Sequence, residues 1–354
     1  MRPMRINPGV LAAMSAGVLF GASTPVAKSL VQDVDPWMLA GLLYLGSGIG
    51  LGTYKALRYF LRAPRADDAS LRGADRWWLA AAISAGGIVA PVLMMFGLRA
   101  TAASSASLLL NLEGVFSILI AWFVFRENFD RRVALGVAAI TAGALLLSVN
   151  GGLVWGNAAG PAAIAGACLA WALDNNLTRK VALNDVTQIA MLKGLVAGSV
   201  NVAIAVALGR GTPSAAVALA AGAVGLGGYG LSLVLFVIAL RFLGTARTGA
   251  YFSIAPFVGA LLAVALYGEP VTIQLICAGG LMVAGLWLHL TERHEHEHTH
   301  AVLTHTHLHA HDVHHQHDHN SGQLDPEPHV HAHTHAPLRH AHAHYPDEHH
   351  RHEH

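Results

Sequence analysis

The stretch GLRATAASSASLLLNLEGVFSILIAWFVFRE, residues 97–127, has a counterpart in ALRFLGTARTGAYFSIAPFVGALLAVALYGE, residues 239–269. Arg99 and Glu127 stand 28 positions apart, and so do Arg241 and Glu269. A second, looser match lies upstream, where Phe20, Thr24, Pro25 and Lys28 fall opposite Trp171, Asn175, Asn176 and Arg179 at an offset of 151. Unrelated apolar helices would not keep such spacings, so the chain contains a duplication.

Composition says what was duplicated. The 354 residues are 54% hydrophobic and 12% charged, about half the charged fraction of a soluble domain. Only 11 Asp or Glu occur up to residue 290. Uncharged runs of about 20 residues are long enough to cross the hydrocarbon core of a bilayer as helices. Apolar runs between charged or Gly/Pro-rich breaks predict ten spans, near 8–30, 37–54, 77–98, 102–125, 132–149, 160–180, 187–208, 214–240, 248–267 and 271–290. The expected fold is an all-α polytopic membrane protein. Residues 1–150 and 151–290 each form a five-helix repeat, and a disordered tail covers 291–354. Five is odd, so the second repeat must enter the membrane from the opposite side. Inverted repeats favour alternating access around a site near the midplane. Gly and Ala within the spans allow close helix packing in lipid.

Lys and Arg placement sets the orientation. A cytoplasmic N-terminus puts 15 of them in inside loops and three, Lys28, Arg99 and Arg210, outside. Both termini are therefore expected in the cytoplasm of a bacterial inner membrane. Arg2 and Arg5 precede the first apolar stretch without a small-residue cleavage site, which reads as a first span and not a removable signal. Cys168 and Cys277 lie inside apolar runs and are expected to be small buried hydrophobes. No nucleophile–base set, phosphate loop or cofactor fingerprint is present. The sequence thus points away from an enzyme and from a nucleic-acid partner, and no cofactor is required.

LEGVFSILIAWFVFRE (112–127) and APFVGALLAVALYGEP (255–270) resemble the paired signatures of the EamA family in the drug/metabolite transporter superfamily. GVLFGASTPVAKSL (17–30) is similar to that family's opening span. The resemblance covers residues 8 to about 290. It implies secondary active transport, expected as export, of small metabolites, amino acids or drugs, driven by an ion gradient or by exchange. Gly114 departs from the family's usual proline, whereas Pro256 keeps it; Arg126 stands where the second half has Gly268.

Glu113 is the sharpest candidate for the transport path. An ionised carboxylate in mid-span costs several kcal/mol unless it is paired, wetted or protonated. Its repeat partner is Ala255, so the fold does not demand it. It fits a cavity-facing proton or substrate-amine site, or a protonated acid bonded to a neighbouring helix. Asp174 and Asn175, with Trp171 a turn earlier, form a second polar group. They are either part of the path or a helix end paired with Arg179 and Lys180. Lys28 belongs to the path or snorkels to the interface. Pro25, like Pro91 and Pro256, frees a helix carbonyl, and Asn111 and Tyr251 flank Glu113 and its counterpart. Glu127 and Glu269, and Arg99 and Arg241, repeat with the fold and are expected to be structural.

All 24 histidines lie between His289 and His354. Residues 291–354 hold little to bury and are expected to lack fixed structure. Alternating imidazoles suit Zn, Ni, Co or Cu. The metal-binding candidates are His294, His296, His298, His300, His305, His307, His309, His311, His331, His333 and His335. The expected partners are a small-molecule substrate, the lipid bilayer and divalent metal ions at the tail. A metal permease on the same scaffold is the alternative. With no histidine in residues 1–288, the membrane body is poor in the ligands a transition-metal path needs.

Overall fold

The computed structural model describes residues 8–61, 73, 75–125, 131–148, 158–178, 185–290 and four short segments between 295 and 343. Contacts divide the chain into two units, Met1–Thr291 and Glu292–His354.

The first unit is helical. Its elements are α1 (Pro8–Leu30), α2 (Pro36–Phe60), α3 (Asp75–Ala82), a π-helical turn (Ile83–Val89), α4 (Ala90–Ala100), α5 (Ala103–Leu109), α6 (Leu112–Phe125) and α7 (Arg131–Ser148). Then come α8 (Ala159–Thr178), α9 (Val186–Ala207), α10 (Ala215–Gly225), a second π-helical turn (Leu226–Leu231), α11 (Ser232–Phe252), α12 (Ala255–Tyr267) and α13 (Ile273–Leu290). Among the described residues, six stretches are long and apolar enough to cross a membrane: 8–30, 75–100, 103–124, 131–148, 187–207 and 215–239. The α12 and α13 helices are apolar but shorter. α2 and α8 are of spanning length and carry charged or amide side chains.

Two expectations about element boundaries change. The loop expected between residues 240 and 248 is instead helix, because α11 runs unbroken to Phe252. That stretch has no proline, and one glycine, Gly244, is too weak a breaker to stop it. The break comes later, at Ser253–Ile254, just ahead of Pro256. In the first half Thr101 adopts an extended backbone and separates α4 from α5, and a second break at Leu110–Asn111 separates α5 from α6.

Glycine sets how closely the helices pack. α2 lies along α9, where a Cβ at Gly48 would strike the Leu195 nitrogen, and one at Gly198 the Leu45 nitrogen. These two contacts exchange under an offset of 150, with Gly194 on the backbone of Gly48 and Tyr44 between them. Between α7 and α13, Gly143 abuts the Ala278 carbonyl and Gly285 the Gly136 carbonyl, a pair that exchanges under an offset of 142. The ends of α2 and α9 are tied the same way. Asp35 caps α2 through the Trp37 N–H and pairs with Arg210 at 3.4 Å. Asp185 caps α9 through the Gln188 N–H and pairs with Lys55 at 2.7 Å.

The second unit contains β1 (Glu295–His300) paired antiparallel with β4 (Leu338–Ala343), and β2 (Leu303–His309) with β3 (His329–His335). Composition predicts a tail without fixed structure, and the described segments of this unit are paired strands. A backbone ladder needs no apolar core to satisfy its own N–H and C=O groups, and His-x-His alternation matches the period of a strand. The register sets His296 opposite His342, His298 opposite His340, His305 opposite His333, His307 opposite His331 and His309 opposite His329.

Close packing at α2–α9 makes a clear test. Gly194→Leu is expected to lose about 3 kcal/mol or the fold itself, as overpacking at a tight contact does. Gly280→Leu, where a Cβ meets nothing within 4 Å, should melt like the parent when both are followed by thermal unfolding in detergent. Asp185→Ala, which removes a cap, should cost about 1 kcal/mol at neutral pH. Burial pushes the Asp185 carboxyl up, but the Lys55 ammonium and the Gln188 and Thr187 N–H groups outweigh it and hold it below its ordinary range. Its contribution is present above the unfolded-state value and is lost as pH falls through the folded one. The gap between Asp185→Ala and wild type should therefore close on acidification below about pH 4.

Candidate functional site

The first π-helical turn builds the polar centre of the helical unit. Ala90 N–H bonds to the Ala85 carbonyl, five residues back. Gly86 thereby loses its α-helical donor, and its next candidate, Pro91, has no N–H to give. Two side chains fill the vacancy: Tyr44 Oη donates to the Gly86 carbonyl at 2.8 Å and Trp171 Nε1 at 3.1 Å. The neighbouring Gly87 carbonyl accepts from Asn201 Nδ2 at 3.2 Å. Pro91 thus acts as expected of a mid-span proline, and it draws α2, α8 and α9 to one point.

Gly86 also lets α8 approach, since a Cβ there would overlap the Asp174 carboxyl group. Asp174 is 7% exposed and meets Lys193 of α9, 8% exposed, at 2.6 Å. Thr178 Oγ1 donates to Asp174 at 2.8 Å and accepts from Lys193 Nζ at 2.7 Å. Asp174 is therefore paired across helices with Lys193; Arg179 and Lys180 lie outside the described residues.

Glu113 occupies the first turn of α6, immediately after the Leu110–Asn111 break. Span 4 is interrupted there, so the carboxylate sits at a helix N-terminus, where the macrodipole favours negative charge. Its Oε1 accepts from Asn175 Nδ2 at 2.7 Å. On α8 the exposed Leu169 and Leu173 mark the outward stripe. Asn175 is also exposed, yet at 100° per residue it lies about 200° round the helix from Leu173. Its exposure is thus to space on the bundle side. Trp171, one turn before it on α8, belongs to a cluster of aromatic rings. Phe20 meets Trp171 edge-on at 6.3 Å, Tyr229 at 6.0 Å and Phe252 at 5.6 Å; Tyr229 meets Tyr44 at 5.5 Å.

Of the expected path residues, Glu113, Asn175, Asp174 and Trp171 come together. The other four do not. Asn111 is buried in the break and donates to the Leu108 carbonyl at 2.8 Å, satisfying the kink. Lys28 caps the C-terminus of α4, donating to the carbonyls of Leu98 at 2.6 Å, Arg99 at 3.3 Å and Thr101 at 2.8 Å. This is where a cation complements helix-end carbonyls, so snorkelling alone does not describe it. Pro25 accepts at its carbonyl from Tyr267 Oη. Tyr251 is 36% exposed on α11, and no described hydrogen bond joins it to Glu113.

Glu269 is structural, as expected, and acts as a helix cap. Gly268 ends α12 at φ 61° and turns Glu269 onto α5, where it accepts from the N–H groups of Ala103 at 2.8 Å and Ser104 at 3.0 Å. Glu127 and Arg126 lie outside the described residues. Cys168 is buried as expected, whereas Cys277 is exposed on α13. His294 and His311 fall outside the described residues; His296, His298, His300, His305, His307, His309, His331, His333 and His335 lie on the strands. The residue missed by sequence reasoning is Lys193. Its signal was visible as a lone charge inside an apolar run, but nothing in the linear sequence paired it with Asp174.

A model of the EamA-like transporter family matches residues 7–149 and 158–291. An uncharacterized transporter from Methanothermobacter thermautotrophicus is 28% identical over 297 residues, covering 80% of this chain and 87% of that protein. A probable 4-amino-4-deoxy-L-arabinose-phosphoundecaprenol flippase subunit ArnE from Pseudomonas fluorescens is 58% identical over 40 residues, 11% of this chain and 35% of its own. One solved structure, described as a crystal structure of a protein, shares the fold at a TM-score of 0.59 and 21% identity, covering 80% of this chain and 98% of that one.

The buried pair gives a double-mutant test. Lys193→Met leaves Asp174 uncompensated and should destabilise by about 3–5 kcal/mol. Lys193→Met combined with Asp174→Leu removes both charges and should recover much of that loss in detergent melting curves. A double-variant loss equal to the sum of the separate Lys193→Met and Asp174→Leu losses would mean the two charges do not interact.

Proposed function

Because the chain belongs to the EamA-like transporter family, we propose that it is a secondary active exporter of small metabolites, amino acids or drugs, working by alternating access in a bacterial inner membrane. The observation that carries this reading is Glu113. It stands at a helix break inside span 4, bonded to an Asn175 side chain that opens toward the bundle. A carboxylate placed there can exchange a proton or a substrate ammonium as access changes sides.

Ten spans in two inverted five-helix repeats, residues 1–150 and 151–290, with both termini cytoplasmic, complete the proposal. Its support is the reciprocal contacts. Gly48–Leu195 answers Gly198–Leu45, and Gly143–Ala278 answers Gly285–Gly136. Gly86 packs on Asp174 as Gly228 packs on Ser23. Two π-helical turns also occupy matching places, 83–89 and 226–231.

In this reading the tail binds Zn, Ni, Co or Cu and is an accessory to the permease. Strand register supports the binding by setting histidine opposite histidine in both pairs.

Cells expressing the full chain, residues 1–290 alone, or Glu113→Gln decide between a solute path and a metal path. The truncated chain should still lower the cellular content of at least one organic solute in a metabolite panel, and Glu113→Gln should abolish that export. Metal accumulation that follows the full chain and Glu113, with no organic solute moved, would replace this reading with a metal permease.

A further inference from the structure

Charge balance at the polar centre points to the class of solute, and this step rests on the transport reading above. Asp174 and Lys193 neutralise each other at 2.6 Å, and Thr178 bonds to both. That pair offers no free charge to a ligand. Glu113 is different. Its described partner is the neutral Asn175 amide, and among the described residues no Lys or Arg makes an ion pair with it. Asn175 spends its Nδ2 on Glu113 and is itself exposed. The group offered to a ligand there is therefore the Glu113 carboxyl, which has no cationic partner among the described residues.

The surroundings are aromatic. Trp171 lies one turn before Asn175 on α8, with Phe20 edge-on at 6.3 Å and Tyr229 and Phe252 each within 6.0 Å of Phe20. Trp171 directs its indole N–H to the Gly86 carbonyl, which fixes the ring. Ring faces attract cations and repel anions. Coulomb attraction to a lone carboxylate strengthens as the local dielectric falls. An anion would meet Glu113 without a cation to offset it, because Lys193 is already engaged.

We propose that the transported solute is an organic ammonium: a monovalent amine on an aromatic or branched apolar body. The ammonium donates to Glu113, and the body lies against Trp171 and Phe20. Glu113 and Asn175 set the charge preference, and Trp171 and Phe20 accept the apolar part.

The test compares three probes with one phenyl body and three charges: phenethylamine, 2-phenylethanol and 3-phenylpropionate. Each is titrated into the purified full chain by calorimetry. Phenethylamine should bind saturably, with the alcohol at least about tenfold weaker and the acid weaker again. Glu113→Gln, which keeps the side-chain shape, should remove the preference for the amine over the alcohol. Trp171→Ala should weaken amine and alcohol alike. Equal binding of acid or alcohol and amine by the wild type, or no saturable amine binding at millimolar concentration, overturns the proposal without any variant being needed. Counterflow in proteoliposomes separates this outcome from failure of the transport reading. Uptake of an organic solute with no preference for the amine removes the substrate class alone, whereas no uptake of any solute removes transport itself.

Discussion

A carbonyl oxygen inside a membrane helix has no water to bond to, and Gly86 has lost both of its helical donors. The π-helical turn sends the Ala90 N–H to Ala85, and Pro91 has no N–H at all. An unsatisfied carbonyl in hydrocarbon costs several kcal/mol, so the bundle must bring donors to it. Tyr44 comes from α2 and Trp171 from α8, and Asn201 of α9 serves the next carbonyl. With Gly86 lacking a Cβ, Asp174 can settle against it, and once buried Asp174 requires a cation. Lys193 supplies it from α9. One broken helical hydrogen-bond ladder thus fixes the mutual placement of four spans.

The same backbone arrangement carries different chemistry at matching positions of the two halves. Gly228 packs on Ser23 much as Gly86 packs on Asp174, and the position matching Lys193 on α2 is Leu43. Glu113 stands where the second half has Ala255. Both breaks that expose these positions fall at corresponding points, Leu110–Asn111 and Ser253–Ile254. The polar machinery is concentrated on α6, α8 and α9, and the equivalent surfaces of α12, α1 and α2 are apolar or hydroxyl-bearing. Around it the helix ends are held by charges of the fitting sign, Lys28 on the C-terminus of α4 and Glu269 on the N-terminus of α5. These two act on the helix dipoles, which explains why mid-chain charges at span ends need not belong to a path.

The tail obeys a simpler constraint. Residues 292–354 are too poor in apolar side chains to form a core, but a two-stranded ladder satisfies backbone groups without one. Alternation of histidine with small or acidic residues has the period of a strand, and antiparallel pairing then aligns histidine with histidine.

Hydropathy and motif in the sequence were enough to mark an all-helical membrane protein and its family, because lipid demands long apolar runs. Glu113 was legible for the same reason: an acid in such a run is costly enough to stand out. Which polar residues meet it was not legible. Asn175 reaches Glu113 across 62 positions and Lys193 reaches Asp174 across 19, and sequence spacing carries no record of contacts between separate helices. Lys28 and Asn111 illustrate the converse, since their positions in the sequence fit a transport path while their hydrogen bonds belong to a helix cap and a kink. The missed helical run through 240–248 has a local cause, for no residue there is a strong enough breaker to end α11. What the sequence determined is where charge and apolar length lie along the chain. The tertiary structure alone decided which of those groups meet, Asp174 with Lys193 and Glu113 with the Asn175 amide, because pairing depends on helix approach, and that approach was set by glycines and by one carbonyl without a donor.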